Sequence, residues 1–154
     1  MIRLERVVGR LPADFPLLQA EARAGDYKML DTLAAEWTSG RTRFDRPGEA
    51  LYAAYYGATF AAIGGLTVER LVPGGFRMRR FYALAAYRRA GIARRIAAAL
   101  LDGIAGPRRI VTTNAAAGSE PFWESLGFLP DRRNGWTHIL AAAASDLNAP
   151  AAGF

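Results

Sequence analysis

The sequence predicts an α/β (α+β) protein built on one mixed sheet with helices on both faces. Segments of strand length alternate along the chain with segments whose apolar residues recur every three to four positions. The helical segment after Gly91 lies between strand segments at 76–84 and 109–113, and a strand–helix–strand unit implies parallel pairing. The predicted order of elements is β-α-α-β-β-β-α-β-α-β-β.

The N-terminal third predicts one strand and two helices. Residues 2–8 alternate apolar and charged side chains, as an edge strand does. Asp14 and Asp26 stand where each could cap the helix that follows, and Gly25 is placed to end the first helix. The apolar face of the second helix is predicted to consist of Met29, Leu30, Leu33, Ala34 and Trp37.

Three strands are predicted for the centre of the chain, at 50–56, 60–68 and 76–84. Clusters of Gly, Pro and Thr separate them and favour turns. The Gly64-Gly65 pair stands inside the second strand. Glycine inside a strand indicates a bulge or a close approach to the backbone, and we expect one of these here.

The C-terminal third returns to alternating helix and strand. Turn residues and the apolar period together define the elements. We predict, in order, a helix from Gly91 to Gly106-Pro107, a buried strand at 109–113, a short helix at 120–126 capped by Ser119, and a final hairpin of 128–130 with 136–140.

Length and composition predict one domain over residues 1–140, followed by an Ala-rich tail at 141–154 that we expect to be frayed. The chain has no Cys and one His, so disulfides, Cys nucleophiles and His-based metal clusters are excluded, and no metal is expected. The first residues lack the apolar run of a signal peptide, and no uninterrupted apolar stretch reaches the roughly 18 residues of a membrane span. These observations predict a cytoplasmic protein that does not enter a membrane.

The formal net charge is +6, from 20 Lys and Arg against 14 Asp and Glu. A basic protein favours anionic ligands, such as a nucleic acid or an anionic cofactor. A nucleic-acid partner is not expected, because no basic stripe is interleaved with aromatic residues and no known nucleic-acid motif is present. A solvated surface would account for the charge equally well.

The segment 87–95 is the most informative in the chain, because it lies between a predicted strand and a predicted helix. Backbone N–H groups of the first helical turn have no helical acceptor, and the helix dipole adds positive charge there, so this end can bind phosphate. Gly91 removes a Cβ that would block close approach, and Ala93 keeps the next turn small. Four arginines crowd the same turn, namely Arg88, Arg89, Arg94 and Arg95.

Four motifs stand in order between residues 50 and 140. They are the turn at Tyr56-Gly57 leading to Gly64-Gly65-Leu66, the signature Arg88-x-x-Gly91-x-Ala93 with the strand and loop 81–88 before it, Asn114 after the next strand, and Pro121-Phe122-Trp123-Glu124-Ser125-Leu126-Gly127-Phe128. In this order they resemble the GNAT superfamily of N-acetyltransferases. The first 50 residues resemble it only in outline.

The resemblance implies a mostly antiparallel central sheet of six to seven strands and an enzyme that moves an acetyl group directly from acetyl-CoA, its co-substrate, to an amine. It implies that backbone groups of Tyr82, Ala83 and Leu84 pair with the pantetheine arm and point a donor at the thioester oxygen. The pyrophosphate would lie against the amides of a single turn: Arg89, Ala90, Gly91, Ile92, Ala93 and Arg94, with the Arg88 side chain in reach. Asn114 would bond the pantetheine, and Phe122 and Trp123 would pack near the thiol.

The acid–base residues depart from the family. Trp123 stands where many relatives have the Tyr that protonates the leaving thiolate, and indole N–H is no practical acid. The strand positions where relatives often carry a Glu hold arginines here. Three substitutes are catalytic candidates: Tyr82 as acid, Glu69 as a base acting through water, and Ser119 as a proton carrier. Each has an ordinary structural explanation, and a base is unnecessary if the amine arrives neutral.

The acceptor amine is not identified by the sequence. The aromatic residues at 52–60 are candidates to line its pocket, and Arg41 and Arg43, which follow the second predicted helix, would suit an acceptor carrying carboxylate or phosphate. A homodimer through sheet edges is one candidate assembly. Two other functions stay open: an acetyl-CoA-binding module with little turnover, and, less favoured, a basic nucleic-acid-binding protein.

Overall fold

The computed structural model of the chain describes residues 1–104 and 109–142. It contains a mixed sheet and four α-helices in the predicted order, which confirms the fold class. The elements are β1 (Ile2–Arg6), α1 (Phe15–Ala24), α2 (Met29–Ser39), β2 (Ala50–Tyr56), β3 (Thr59–Glu69), β4 (Gly75–Ala83), a 3₁₀ turn (Ala85–Tyr87), α3 (Ile92–Asp102), β5 (Arg109–Thr113), α4 (Glu120–Ser125), β6 (Leu129–Arg133) and β7 (Trp136–Ala142).

The seven strands form one sheet in the order β1-β2-β3-β4-β5-β7-β6. Every neighbouring pair is antiparallel except β4 and β5, which are parallel. The parallel pair is the one that α3 connects, because a crossover helix returns the chain to the same end of the sheet. The predicted strand–helix–strand unit is therefore confirmed.

Each face of the sheet carries its own apolar core. One core packs α1 and α2 against the sheet through residues such as Leu18, Leu33 and Ile63. The other packs α3 and α4 against the opposite face, with Ile96 and Phe128 at its centre. Helices that cover both faces explain why β3 is buried along nearly its whole length.

The Gly64-Gly65 pair lies where the sheet is irregular, as the sequence predicts. The register between β3 and β4 shifts between Ile63 and Gly65. A Cβ on Gly64 would lie 2.8 Å from the ring of Phe81, and one on Gly65 would lie 2.5 Å from the ring of Phe44. Both distances are shorter than van der Waals contact. The two rings therefore pack directly against the glycine backbone, one on each face of the sheet.

Gly25 ends α1 as predicted, whereas the predicted side-chain caps at the helix N-termini are wrong. Asp14 and Ser119 hold nearly helical backbone angles, so neither side chain reaches the helix amides as a cap in the β region would. Asp26 has a φ of 65°, and α2 begins only after Lys28.

The predicted ends of two elements also change. The helix α3 ends at Asp102 with Gly103 after it, and the predicted terminator Gly106-Pro107 falls in residues 105–108, outside the described part of the chain. The last strand runs to Ala142, two residues into the predicted tail, while 143–154 lie outside the described residues. Within the described ranges, no helix has the length and apolar character needed to cross a membrane.

Candidate active site

Strands β4 and β5 pair only at one end and then separate. Their three paired positions end at Met78 and Thr113. Directly beyond, β4 contains an extra residue relative to β3, and Arg80 takes a left-handed φ of 62°. A bulge of this kind bends its strand and increases the local twist. The bulge therefore accompanies a gap between two neighbouring strands in the middle of the sheet.

A cavity of about 970 Å³ occupies this gap. Its walls come from β4, the turn before α3, the segment after β5 and the start of α4. Most of the residues that the sequence singled out lie on these walls, namely Tyr82, Ala83, Arg88, Arg89, Gly91, Ile92, Ala93, Arg94, Asn114, Ser119, Phe122 and Trp123. Leu84, Ala90 and Glu69 were also singled out and are not among the lining residues.

The open edge of β4 presents different backbone groups from those expected. The Leu84 N–H donates to the Ala61 carbonyl at 2.8 Å, and Tyr82 stands opposite Ile63, so both residues turn their backbone toward β3. Backbone groups alternate sides along a strand, so Phe81 and Ala83 face the gap instead. The expectation for Tyr82 and Leu84 is corrected in this respect, and Phe81 is a residue that sequence reasoning missed.

The turn at Gly91 leaves open space and amides without a side-chain cap among the described residues at the start of α3. Gly91 has a φ of 79°, a conformation natural to glycine, and a Cβ there would meet no protein atom within 4 Å. The first helical bond runs from the Arg95 N–H to the Gly91 carbonyl, so the amides of Ile92 and Ala93 precede it, and no described side chain caps the helix. The Ala90 N–H instead donates to the Tyr87 carbonyl at 3.3 Å.

Two arginine side chains of this turn are bound to the protein itself. The Arg88 Nε donates to the Ala83 carbonyl at 3.1 Å, and its guanidinium lies 5.4 Å from the centre of the Tyr82 ring. The Arg94 Nη2 donates to Ser125 Oγ at 2.6 Å, which joins α3 to α4. The amides of Ile92 and Ala93 and the side chain of Arg89, which also lines the cavity, are therefore the groups of this turn best placed for an anion.

Aromatic rings form the wall on the α4 side. Trp123 is only 4% exposed and makes edge-on contacts with Phe81, Phe122 and Phe128 at centroid distances of 4.9, 4.9 and 5.3 Å. Such contacts stabilise a buried ring in one orientation. Trp123 is thus part of the core and of the cavity wall at once, which suits packing against a ligand and offers no acid.

Tyr82 is bonded to a carboxylate that the sequence did not reveal. Its hydroxyl donates to Glu21 Oε2 at 2.5 Å, and the same oxygen accepts the Ala85 N–H at 3.0 Å. Burial and the neighbouring Glu21 carboxylate raise the pKa of Tyr82 to about 12. A phenol that holds its proton so firmly is a poor acid at neutral pH. Glu21 lies 61 residues away in the chain, and no local motif marks it.

The other two catalytic candidates are also engaged elsewhere. Glu69 is buried rather than solvated, lies 3.4 Å from the Arg77 guanidinium and pairs with Gly75 at the start of β4. Residues 75 to 82 of a strand span roughly 23 Å, which is too far for a base acting through one water near Tyr82. Ser119 lines the cavity, but its hydroxyl donates to the Ala116 carbonyl at 2.7 Å.

A protein-family comparison identifies this arrangement. The model of the acetyltransferase (GNAT) domain matches residues 22–138, more than half of the chain and all of the elements that build the cavity. The chain belongs to the GNAT acetyltransferase family. No curated protein matches it.

Solved GNAT structures share the fold over almost their whole length. A protein assigned as an acetyltransferase from Exiguobacterium sp. 255-15 superposes with a TM-score of 0.77 at 22% identity, covering 91% of this chain and 93% of its own. The ribosomal-protein-S18-alanine N-acetyltransferase of Escherichia coli superposes at 0.60 with 18% identity, covering 94% of each chain. A spermidine N-acetyltransferase from Vibrio cholerae superposes at 0.62 with 10% identity, covering 96% of each chain.

Proposed function

We propose that this GNAT protein transfers an acetyl group directly from acetyl-CoA to an amine. One observation carries the proposal: the same cavity joins the unpaired edge of β4 to the uncapped N-terminus of α3. An extended amide chain needs unpaired backbone partners, and a pyrophosphate needs unpaired helix amides. Acetyl-CoA contains both parts, in this order along its length.

The residues present fit this co-substrate. The amides of Ile92 and Ala93 would bind the pyrophosphate, and the Ala83 N–H, next along the open edge, would bind the pantetheine arm, since the Ala83 carbonyl already accepts from Arg88. Phe122 and Trp123 would pack beside the thiol end. Asn114 is exposed on the opposite wall, directly after β5, where its amide could bond the same arm.

The Phe81 N–H is the backbone donor that would stabilise the negative charge formed during acetyl transfer. It lies on the open edge next to the bulge, at the end of the edge farthest from Gly91. When an amine attacks the thioester carbonyl, negative charge develops on the carbonyl oxygen. A fixed backbone donor aimed at such a charge contributes about 2.7–4 kcal/mol to lowering the barrier. The rest of the acceleration comes from holding two reactants together.

An amine acceptor is supported by two of the structural relatives. The Escherichia coli protein is an alanine N-acetyltransferase and the Vibrio cholerae protein is a spermidine N-acetyltransferase. A neutral amine needs no base to attack. As the C–S bond breaks, CoA leaves as a thiolate that takes up a proton from solvent, and the excess proton on the new amide nitrogen passes to solvent. Tyr82 and Glu21 then act as positioning residues, which tie the end of β4 to α1.

Replacing Tyr82 by Phe should lower kcat less than about tenfold, because a hydroxyl with a pKa of about 12 gives up little proton at pH 7. The raised pKa also predicts a change with pH. Stability linked to this group is fully present below pH 10 and is lost as pH rises toward 12, since the unfolded chain releases the proton first. Tyr82→Phe should therefore flatten the fall in Tm between pH 10 and 12. A loss of kcat of a hundredfold or more would restore Tyr82 as the acid.

The activity itself is tested by measuring thiol release from acetyl-CoA with a panel of amines, together with the mass of the acetylated product. We expect an increase in thiol release that depends on the amine. The alternative, a binding module with little turnover, is supported by the state of the three acid–base candidates: Tyr82 and Ser119 are hydrogen-bonded within the protein, and Glu69 lies opposite Gly75 at the far end of β4. Calorimetric binding of acetyl-CoA without product from any amine would favour that alternative.

A further inference from the structure

Three arginines lie on β4 at the end of the cavity away from Gly91. They are Arg77, Arg79 and Arg80, and all three line the cavity. This end lies beyond Phe81, on the side from which an acceptor would approach if the pyrophosphate occupies the turn at Gly91. Their charges therefore bear on the acceptor rather than on the phosphates.

Two of these arginines already have carboxylate partners. Arg80 donates through Nε and Nη2 to both oxygens of Glu36 at 3.0 Å, which ties the bulge to α2. Arg77 lies 3.4 Å from Glu69 and also donates to Thr112 Oγ1 at 3.3 Å. The side chains of both arginines are largely buried, so these pairs are structural.

Arg79 differs from its two neighbours. Its Nε donates to Thr67 Oγ1 at 3.2 Å, and no described carboxylate forms an ion pair with it. Burial, followed by the charges of Arg77 and Arg80, lowers the pKa of Arg79 from its usual value. Arg77 and Arg80 thus pair with the two nearby carboxylates, and Arg79, which also lines the cavity, forms no ion pair with either of them.

A partly buried guanidinium without an ion pair, such as that of Arg79, favours binding of an anion. A half-buried cation without an anionic partner is unfavourable, and a carboxylate or phosphate placed against it forms short, charge-assisted hydrogen bonds. We propose that the acceptor is an amine whose own chain carries a carboxylate or a phosphate, and that Arg79 binds this anionic group. The inference rests on the proposed acetyl transfer and names the class of its second substrate.

The arginines that the sequence suggested for this role are placed elsewhere. Arg43 donates to the Trp37 carbonyl at 2.8 Å and lies over the Trp37 ring. Arg41 lines a groove beside α2 that adjoins the cavity at Tyr27. Neither is among the residues of the cavity. Arg41 is therefore a suitable control, since its loss changes the net charge equally without touching the cavity.

The test compares paired amines with and without the anion, with kcat/KM expressed per neutral amine because loss of the anion also lowers the pKa of the substrate's ammonium group. Glycine is paired with glycinamide, β-alanine with its amide, and O-phosphoethanolamine with ethanolamine. For wild type we expect kcat/KM for at least one anionic member to exceed its neutral partner by about 10–100-fold. In Arg79→Gln that ratio should fall to about one, in Arg79→Lys it should be retained in part, and in Arg41→Gln it should equal wild type. The preferred pair distinguishes carboxylate from phosphate.

A binding measurement separates this inference from the acetyl-transfer proposal. Calorimetry with CoA present compares N-acetylglycine with N-acetylglycinamide, and N-acetyl-O-phosphoethanolamine with N-acetylethanolamine, on wild type and Arg79→Gln. Preferential binding of an anionic compound that is lost in Arg79→Gln supports the inference even if no amine is turned over. Turnover of amines without any preference for the anionic members, or equal binding by both proteins, overturns it and leaves acetyl transfer unaffected.

Discussion

Gly91→Glu should weaken acetyl-CoA binding by at least about 100-fold, because a carboxylate would stand where the pyrophosphate must lie and like charges brought together cost several kcal/mol. Gly91 precedes the first amides of α3, and the space beside its Cα contains no protein atom within 4 Å. The new side chain would therefore enter the cavity mouth rather than the core. Titration calorimetry with acetyl-CoA and with CoA measures the effect.

The control for this variant is Gly74→Glu. Gly74 has a φ of 72°, close to the 79° of Gly91, and its Cβ would also meet nothing within 4 Å. It lies in the turn before β4 and is not among the cavity residues. Both substitutions place a side chain in the same left-handed conformation, so they share the backbone strain. Equal loss of binding in the two variants, or normal binding by Gly91→Glu, would contradict the assignment of this turn.

Replacing the Phe81 amide by an ester should reduce kcat by about 10²–10³-fold while leaving acetyl-CoA binding within a few-fold of normal. The replacement uses the α-hydroxy analogue of phenylalanine, which removes one N–H and keeps the side chain. Its expected effect on the sheet is small, because Phe81 faces the gap rather than β3. Single-turnover measurement of acetyl transfer reports the chemical step directly.

The same replacement at Leu84 is the matched control. The Leu84 N–H donates to Ala61 at 2.8 Å, so its loss should cost about 1 kcal/mol of stability and little activity. Thermal unfolding of the two esters separates these effects. If the ester at residue 81 retains full kcat, another donor stabilises the oxyanion. If the ester at residue 84 loses kcat to the same extent, strand distortion rather than donor loss is the cause.

Local patterns in the sequence determined the elements and one half of the site. The alternating pattern of a strand and the periodic pattern of a helix involve only residues close together in the chain. The boundaries of strands and helices could therefore be predicted to within a few residues. The turn at Gly91 was equally accessible, because glycine, the following helix and the arginines are contiguous. The family signature at Arg88-x-x-Gly91-x-Ala93 depends on the same short segment.

The side-chain caps at the helix N-termini could not be predicted from the local sequence, although a cap involves only a few neighbouring residues. Asp14 and Ser119 are residue types that favour caps, yet the chain enters both helices with nearly helical backbone angles. The direction of entry is decided by how α1 and α4 pack on the sheet. Packing on the rest of the fold overrides a preference worth about 1 kcal/mol.

The tertiary structure alone decided which groups act together. Whether Phe81 or Tyr82 faces the gap depends on the register of β4 against β3 and on one extra residue at Arg80. Glu21 reaches Tyr82 across 61 residues of chain, and Arg79 is left without a carboxylate because Glu36 and Glu69 lie nearer its neighbours. A sequence states residue type and spacing, whereas hydrogen-bond direction and charge balance are properties of distant segments brought into contact.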